Sequence, residues 1–293
     1  MRIVTIKNDI IDLKPVIWIK GIFMVIIGIE TTRFGIGIGR VNTNIYYSSF
    51  VFALIAISGI LVVFILKELD KDVKSRRFSD QKVVITFCAV LYGIAFGLAI
   101  YYTIIFNLET LNLYLLAFIG IFWFLTLYYG RDWKYKGFLR NIVISISFSY
   151  GLIYGASLNY TLISPIIYLY FGAVFLLQIS KDIINDCKHI TRNDREIIKS
   201  IVTIYGEEKA RKLSMILDLS VILFLTIPMI PGFPNIYAQE IYIIIALVAI
   251  IFVGLAAFFS FRMNSERKYY RIVKIFLRCA MFASFAAFIL ANF

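Results

Sequence analysis

Asp182 and Asp186 are the two residues whose type and spacing most clearly predict chemistry. They follow directly on a long apolar stretch from Tyr160 to Ile179. Four residues apart on a helix places both carboxylates on one face, and charge at a membrane boundary is costly unless it has a role. Carboxylates of this kind bind Mg²⁺ together with substrate phosphates. With Lys181 to contact phosphate oxygens, the pair predicts a Mg²⁺–diphosphate site, and a solvated helix end is the alternative.

A second acidic cluster lies about 110 residues earlier in the chain and contains Glu68, Asp70 and Asp72. Asp70, with Asp72 nearby, could supply a second metal site. Arg76 or Arg77, which follow closely, could bind phosphate through paired N–H donors. A mixed-charge loop in solvent is the alternative interpretation of this stretch.

Lys134 and Asn141 form a third polar feature. Lys134 could contact phosphate, and Asn141 is expected to open the helix that follows it. The alternative is membrane anchoring, because lysines beside an interfacial tryptophan and tyrosine, here Trp133 and Tyr135, are typical of cytoplasmic helix ends.

Long apolar segments must position these residues. The chain of 293 residues is 61% hydrophobic and 16% charged, which is far more apolar than a soluble protein of this size. We therefore predict an all-α polytopic membrane protein, a single domain over residues 1–293 with about nine transmembrane helices. Each segment is long enough to cross a bilayer, and they cover roughly residues 15–32, 46–66, 83–106, 110–129, 141–158, 160–180, 213–230, 241–261 and 272–292.

The distribution of charge predicts the orientation in the membrane. Lysine and arginine concentrate in the N-terminal tail and in the loops after segments two, four, six and eight, whereas the alternate loops hold only Arg33 and Arg40. The positive-inside rule then places the N-terminus and both acidic loops in the cytoplasm and the C-terminus outside, in an integral plasma-membrane protein. The net charge of +12 is explained by topology and by attraction to anionic membrane lipids, so it requires no nucleic-acid partner.

Five stretches resemble motifs of the UbiA superfamily of intramembrane prenyltransferases, and the similarity to its archaeal branch runs over most of the chain. The Tyr-Gly-x-x-Lys-Ala signature, here Tyr205 to Ala210, is the most specific of them. The stretches are Lys14-Pro15, Lys134 with Asn141, Tyr154-Gly155-Ala156, Lys181-Asp182 through Asp186, and Tyr205-Gly206-Glu207-Glu208-Lys209-Ala210.

The resemblance implies nine helices around a central cavity, with both aspartate motifs over its cytoplasmic mouth. It implies Mg²⁺-dependent ionisation of a polyprenyl diphosphate and attack by a lipid or aromatic acceptor on the carbocation. For archaeal members the expected reaction joins a geranylgeranyl chain to geranylgeranylglyceryl phosphate. Tyr150 and Tyr154 could line a prenyl tunnel and shield the carbocation by cation–π contact.

The chain departs from the family pattern in both aspartate motifs. In the first, apolar residues replace three of the four polar ligands, so only Asp70, with Asp72, remains. In the second, Leu177-Gln178 replaces the family's Arg-Glu. These changes favour, as a second hypothesis, a non-catalytic lipid-binding member of the same fold. A small-solute transporter is a third hypothesis, suggested only by Asp218 and Glu30 in apolar segments.

Overall fold

The computed structural model describes six ranges, residues 23–31, 138–157, 163–190, 200–233, 239–262 and 267–290, and seven single helical positions between 86 and 101. Within these residues the fold is all-helical, without strands. We label the helices in chain order, and a 3₁₀ turn, Ile227–Met229, extends the fifth of them. They are α1 (23–31), α2 (Phe138–Ser157), α3 (Pro165–Ile190), α4 (Ile201–Tyr205), α5 (Glu207–Thr226), α6 (Gln239–Arg262) and α7 (Arg267–Leu290).

Four of these helices are long and apolar enough to cross a membrane, namely α3, α5 with its 3₁₀ turn, α6 and α7. Together with the shorter apolar helix α2, they coincide with the fifth to ninth predicted segments, and α1 lies within the first. The second to fourth segments fall almost entirely outside the described residues. The chain is therefore a multi-helix membrane protein, and the number nine remains a prediction.

Helix α3 lies at the centre of the described bundle. It contacts α2, α4, α5 and α7, and one face of it is buried along its length, from Ile166 to Cys187. The Tyr242 hydroxyl, near the start of α6, donates a hydrogen bond of 2.9 Å to the Leu225 carbonyl, near the end of α5. Helices α5 and α6 thus run antiparallel.

Small residues form the seam through which α6 packs on its neighbours. Ala246, Ala249, Val253 and Ala256 recur at helical spacing and are all fully buried. The opposite face carries large side chains that are exposed, as expected for contact with lipid; examples are Ile244, Leu247, Ile251 and Phe258. Small residues on the inner face let membrane helices approach closely where no hydrophobic effect drives them together.

Two glycines set an even closer contact between α1 and α2. A Cβ atom on Gly28 would lie 2.3 Å from the Leu152 carbonyl oxygen, and one on Gly155 would lie 2.1 Å from the Val25 carbonyl oxygen. Neither position can hold a larger residue unless the backbones separate. This contact explains the glycine of the Tyr154-Gly155-Ala156 stretch by packing.

A buried polar contact joins α3 to α5. The Ser180 and Ser214 hydroxyls are 2.8 Å apart, and Asp218 lies one turn beyond Ser214. All three side chains are fully buried. Neither carboxylate oxygen of Asp218 has a hydrogen-bond partner within the described ranges.

Several predicted helix boundaries differ from the structure. Asn141 does not open α2, because the helix begins three residues earlier, at Phe138. The sixth predicted segment, roughly 160–180, starts too early, since α3 begins at Pro165. Proline is favoured at the first helical position because its missing N–H would be unpaired there anyway. The end of the seventh segment, predicted near residue 230, agrees with the 3₁₀ turn Ile227–Met229, which is followed by Gly232 with a φ of 78°.

Candidate functional site

The last three turns of α3 carry the acidic pair. Helix α3 continues past the apolar stretch to Ile190, so Asp182 and Asp186 lie one turn apart on the same helix face. Both side chains are partly exposed, unlike the fully buried Ile183, Ile184 and Cys187 between and beside them. The helix therefore buries its apolar face in the bundle and leaves the two carboxylates accessible.

Gln178 connects the acidic pair to Lys181. Its Nε2 donates to the Asp182 carboxylate at 3.0 Å, and its Oε1 accepts a hydrogen bond from Lys181 Nζ. A lysine ammonium can only donate and an ionised carboxylate can only accept, so these two partners fix the orientation of the amide. Gln178 is 7% exposed, which leaves its side chain little room to turn away.

Asn185 connects the same helix face to α7. Its Oδ1 accepts a hydrogen bond of 2.7 Å from Lys274 Nζ, and both side chains are partly exposed. Asn185 lies three residues after Asp182, so the two are neighbours on the helix surface. The last helix thereby brings an ammonium group to the edge of the acidic pair.

A second link at this end of the bundle joins α7 to α5. The Tyr270 hydroxyl donates to Glu207 Oε1, and Arg211 Nε lies 3.8 Å from the same oxygen. Glu207 is the first residue of α5, where the exposed backbone N–H groups favour an acidic side chain. The end of α3 and the starts of α5 and α7 therefore meet at one end of the bundle, which we call the Asp182 end.

Gly206 separates α4 from α5 and occupies a conformation that only glycine adopts readily. Its φ and ψ are 86° and 160°, a region essentially closed to residues with a side chain. Four residues later, Ala210 is fully buried. The Tyr205 to Ala210 signature thus has a structural basis here, since its glycine makes the turn that positions Glu207 and its alanine packs in the core.

The other predicted substrate-binding residues lie at different heights in the bundle. Asn141 is fully buried near the start of α2, whereas Tyr154 is 1% exposed near the other end of that helix. Thirteen residues of helix separate them by about 20 Å. Asp70, Asp72, Arg76, Arg77 and Lys134 lie outside the described residues, so the meeting of the two acidic clusters stays a prediction.

The described residues suit a metal ion that is shared with a substrate. No group of three His, Cys, Asp or Glu side chains comes together in these ranges, so this part of the chain offers the two carboxylates of Asp182 and Asp186. Mg²⁺ commonly binds through one or two carboxylates and completes its octahedron with waters and substrate phosphates. The donor set therefore fits Mg²⁺ bound together with a phosphorylated ligand.

Three residues of this site were not predicted from the sequence: Asn185, Lys274 and Tyr270. A signal existed for Lys274, which is a charge inside the ninth apolar segment and therefore marks a functional candidate. Asn185 and Tyr270 gave no signal of their own, because a polar residue at a helix end in an interfacial region is common.

Comparison with known proteins agrees with this architecture. Residues 67–286 match the UbiA prenyltransferase family, so the chain belongs to that family and is a membrane protein. Two relatives are digeranylgeranylglyceryl phosphate synthases. The one from Methanosphaera stadtmanae is 27% identical over 164 residues, or 56% of this chain and 58% of that protein. The one from Saccharolobus solfataricus is 25% identical over 202 residues, or 66% and 68%.

The match thus spans little more than half the length of the first of these relatives. Among solved structures, a digeranylgeranylglyceryl phosphate synthase superposes with a TM-score of 0.74 at 17% identity, covering 100% of this chain and 99% of that one. A UbiA homologue from Aeropyrum pernix K1, in its apo form, gives a TM-score of 0.55 at 13% identity over 89% and 96%. At these identities the likeness shows the fold alone.

Proposed function

We propose that this chain transfers a prenyl group from a polyprenyl diphosphate to a lipid or aromatic acceptor. The observation that carries the proposal is the accessible Asp182–Asp186 pair at the end of a buried membrane helix, with Lys181 held beside it. Membership of the UbiA prenyltransferase family supports the same class of reaction. By the names of the two relatives, the finer proposal is geranylgeranyl transfer to geranylgeranylglyceryl phosphate.

In the proposed reaction the bond between the prenyl C1 and the diphosphate oxygen breaks, and its electron pair leaves with the diphosphate. A nucleophilic oxygen or carbon of the acceptor then bonds to C1 and loses its proton. Asp182 and Asp186 would hold Mg²⁺, and Asp70 would contribute from the first acidic loop. Bound Mg²⁺ supplies positive charge to the diphosphate oxygens and so improves the leaving group.

The protein's own groups perform the remaining tasks. Lys181 donates to a phosphate oxygen and is kept in place by the Gln178 amide, while Lys134, Arg76 and Arg77 are proposed to bind phosphate from the other loops. Apolar helices keep water away from the cationic carbon, because water would otherwise react with that carbon. Tyr154 is proposed to line the path of the prenyl chain.

The test is transfer by the purified full-length chain, with labelled geranylgeranyl diphosphate, Mg²⁺ and a panel of acceptors. We expect the double variant Asp182→Asn, Asp186→Asn to lose at least about 100-fold in kcat/KM, because enzymes gain much of their rate acceleration by stabilising the charge that develops on the leaving group. A matched control is Glu208→Gln, an exposed carboxylate at the same end of the bundle that pairs with Lys212. Full Mg²⁺-dependent transfer by the double variant would refute the proposal.

A second candidate is a non-catalytic lipid-binding member of the fold. The observation that favours it is Gln178, which stands where the family has an acid and bonds to Asp182 as a neutral amide. Fewer carboxylates lower the affinity for a divalent ion. Binding of a polyprenyl diphosphate without turnover over the whole acceptor panel would support this candidate, and any detected transfer would exclude it.

A further inference from the structure

Lys274 is the starting point of a further inference. It lies on α7 within the ninth apolar segment, and its Nζ donates to Asn185 Oδ1 at 2.7 Å. An ammonium group in the membrane-spanning part of a helix is costly. A helix-to-helix link does not need that charge, since Tyr270, one turn earlier on α7, makes its link to Glu207 with a neutral hydroxyl.

The hydrogen bond from Lys274 to Asn185 is also informative, because of the chemical type of its acceptor. Asn185 is a neutral amide, so it positions the ammonium group and places no negative charge beside it. An aspartate at the same place would add a negative charge. Lys181 is held in the same manner by the Oε1 of Gln178, again a side-chain amide. Both lysines are thus fixed by amide oxygens next to the acidic pair.

The two amides are seven residues, or about two turns, apart on α3, and so lie on one face of the helix. Lys181 and Asn185 are four residues apart, so the ammonium groups of Lys181 and Lys274 approach the same edge of the face that carries Asp182 and Asp186. Two fixed cations beside two carboxylates match a metal-bound diphosphate, whose oxygens exceed what one Mg²⁺ can coordinate. Lysine binds phosphate as a compact charge with three donors.

We infer that Lys274 binds the phosphate oxygens of the ligand directly, and that Gln178 and Asn185 serve to hold Lys181 and Lys274 in position. The inference deepens the proposed function and rests on it for the identity of the ligand as a prenyl diphosphate. It assigns to the last helix a share of the headgroup site. In this inference Gln178 has a functional role, because it positions Lys181 without pairing with it as a charged glutamate would.

The test measures binding of inorganic diphosphate to the purified full-length chain by calorimetry, with and without Mg²⁺. We expect Lys274→Gln to raise Kd by about tenfold or more, because a hydrogen bond to a charged group contributes about 1.5–3 kcal/mol. Glutamine can still donate to Asn185, so the link between α7 and α3 is kept. Lys274→Arg should restore the affinity to within about threefold, since the charge returns.

Two further variants separate binding from a purely structural role. Lys268→Gln removes an exposed lysine of the same helix and should leave Kd unchanged within about twofold. Asn185→Asp keeps Lys274 but neutralises it, and it should raise Kd for diphosphate while thermal stability stays at or above that of the wild type. If Lys274→Gln does not fold, Asn185→Asp still tests the inference.

The outcomes distinguish this inference from the proposed function. The role of Lys274 would be overturned if both variants, Lys274→Gln and Asn185→Asp, bound diphosphate as tightly as the wild type. This holds whatever the transfer assay shows. Diphosphate binding that depends on Lys274, without turnover, would support the inference and count against catalysis. A wild-type chain that neither binds diphosphate nor transfers a prenyl group would overturn both.

Discussion

The Gln178 side chain donates a hydrogen bond to the Asp182 carboxylate, with Nε2 and Oδ2 3.0 Å apart. Because the same amide also accepts from Lys181, it stands between the cationic and the anionic part of the site. The charge at this one position therefore decides how the neighbouring groups behave. A neutral residue leaves Lys181 positive and limits the described carboxylates to two.

Gln178→Glu should shift the site from phosphate binding towards metal binding. It would place carboxylates at positions 178, 182 and 186 on one helix face, and we expect Mg²⁺ affinity in the absence of diphosphate to rise by about tenfold. The new carboxylate would pair with Lys181, so diphosphate affinity in EDTA should fall. Calorimetric titration of each ligand measures both changes.

Gln178→Met is the matched control for this prediction, since it keeps the side-chain length and removes both hydrogen bonds without adding charge. It should not gain Mg²⁺ affinity. Equal Mg²⁺ affinity in Gln178→Glu and Gln178→Met would show that the acidic face of α3 does not bind the metal.

The contact between α1 and α2 predicts a large difference between two glycines. Gly155→Ala would place a methyl group 2.1 Å from the Val25 carbonyl oxygen, which forces the helices apart and should cost about 1–3 kcal/mol. Gly254→Ala on α6 meets no atom of the described residues within 4 Å and should be neutral or stabilising by up to about 1 kcal/mol, because alanine favours helix. Thermal unfolding in detergent compares the two variants. A loss in Gly254→Ala as large as that in Gly155→Ala would contradict the packing argument.

The apolar segments predicted the fifth to ninth spans well, because hydropathy is a local property of the chain. Their ends were predicted less well. Helix α5 begins at Glu207 rather than near residue 213, and α7 begins at Arg267 rather than near 272. The extra turns are polar and leave the apolar layer, so hydropathy cannot detect them. In α5 the turn at Gly206 sets the start instead.

The site was only partly predictable for a different reason. The spacing of Asp182 and Asp186 on one helix is local and could be derived from the sequence. The hydrogen bond between Asn185 and Lys274 joins residues 89 apart in the chain, so it depends on how α3 and α7 pack. The need for glycine at position 155 likewise depends on tertiary packing, because it comes from the close contact with Val25 of α1.

The link between Tyr270 and Glu207 predicts a specific loss of stability. Tyr270→Phe keeps the ring in its buried position but removes the donor to Glu207, and it should lower the free energy of unfolding by about 1–2 kcal/mol. Tyr269→Phe alters the partly exposed neighbour and should change it by less than about 0.5 kcal/mol. Chemical unfolding monitored by fluorescence tests the pair. If both variants lose the same amount, the hydrogen bond at the start of α7 is not what joins it to α5.

Asp218 predicts that one substitution within the bundle stabilises the protein. The carboxylate is fully buried between α3 and α5, and neither oxygen has a hydrogen-bond partner in the described part of the chain. A buried carboxyl group is unfavourable because it must either carry a desolvated charge or be protonated, whereas an amide of the same shape cannot ionise and carries two N–H donors. Asp218→Asn should therefore raise Tm by roughly 2 °C or more, since about 1 kcal/mol shifts Tm by 2–4 °C at this size.

Ser214→Ala provides the comparison for Asp218, since it removes the partner of the Ser180 hydroxyl and should lower Tm by a similar amount through the unpaired group. Prenyl transfer by Asp218→Asn should stay within about twofold of the wild type, because the carboxylate lies on the buried side of the helices, away from the Asp182–Asp186 face. A marked fall in Tm for Asp218→Asn would mean that the ionised form is required, as it would be if a cation bound there. That result, together with solute flux in proteoliposomes that the same substitution abolishes, is what the transport hypothesis needs.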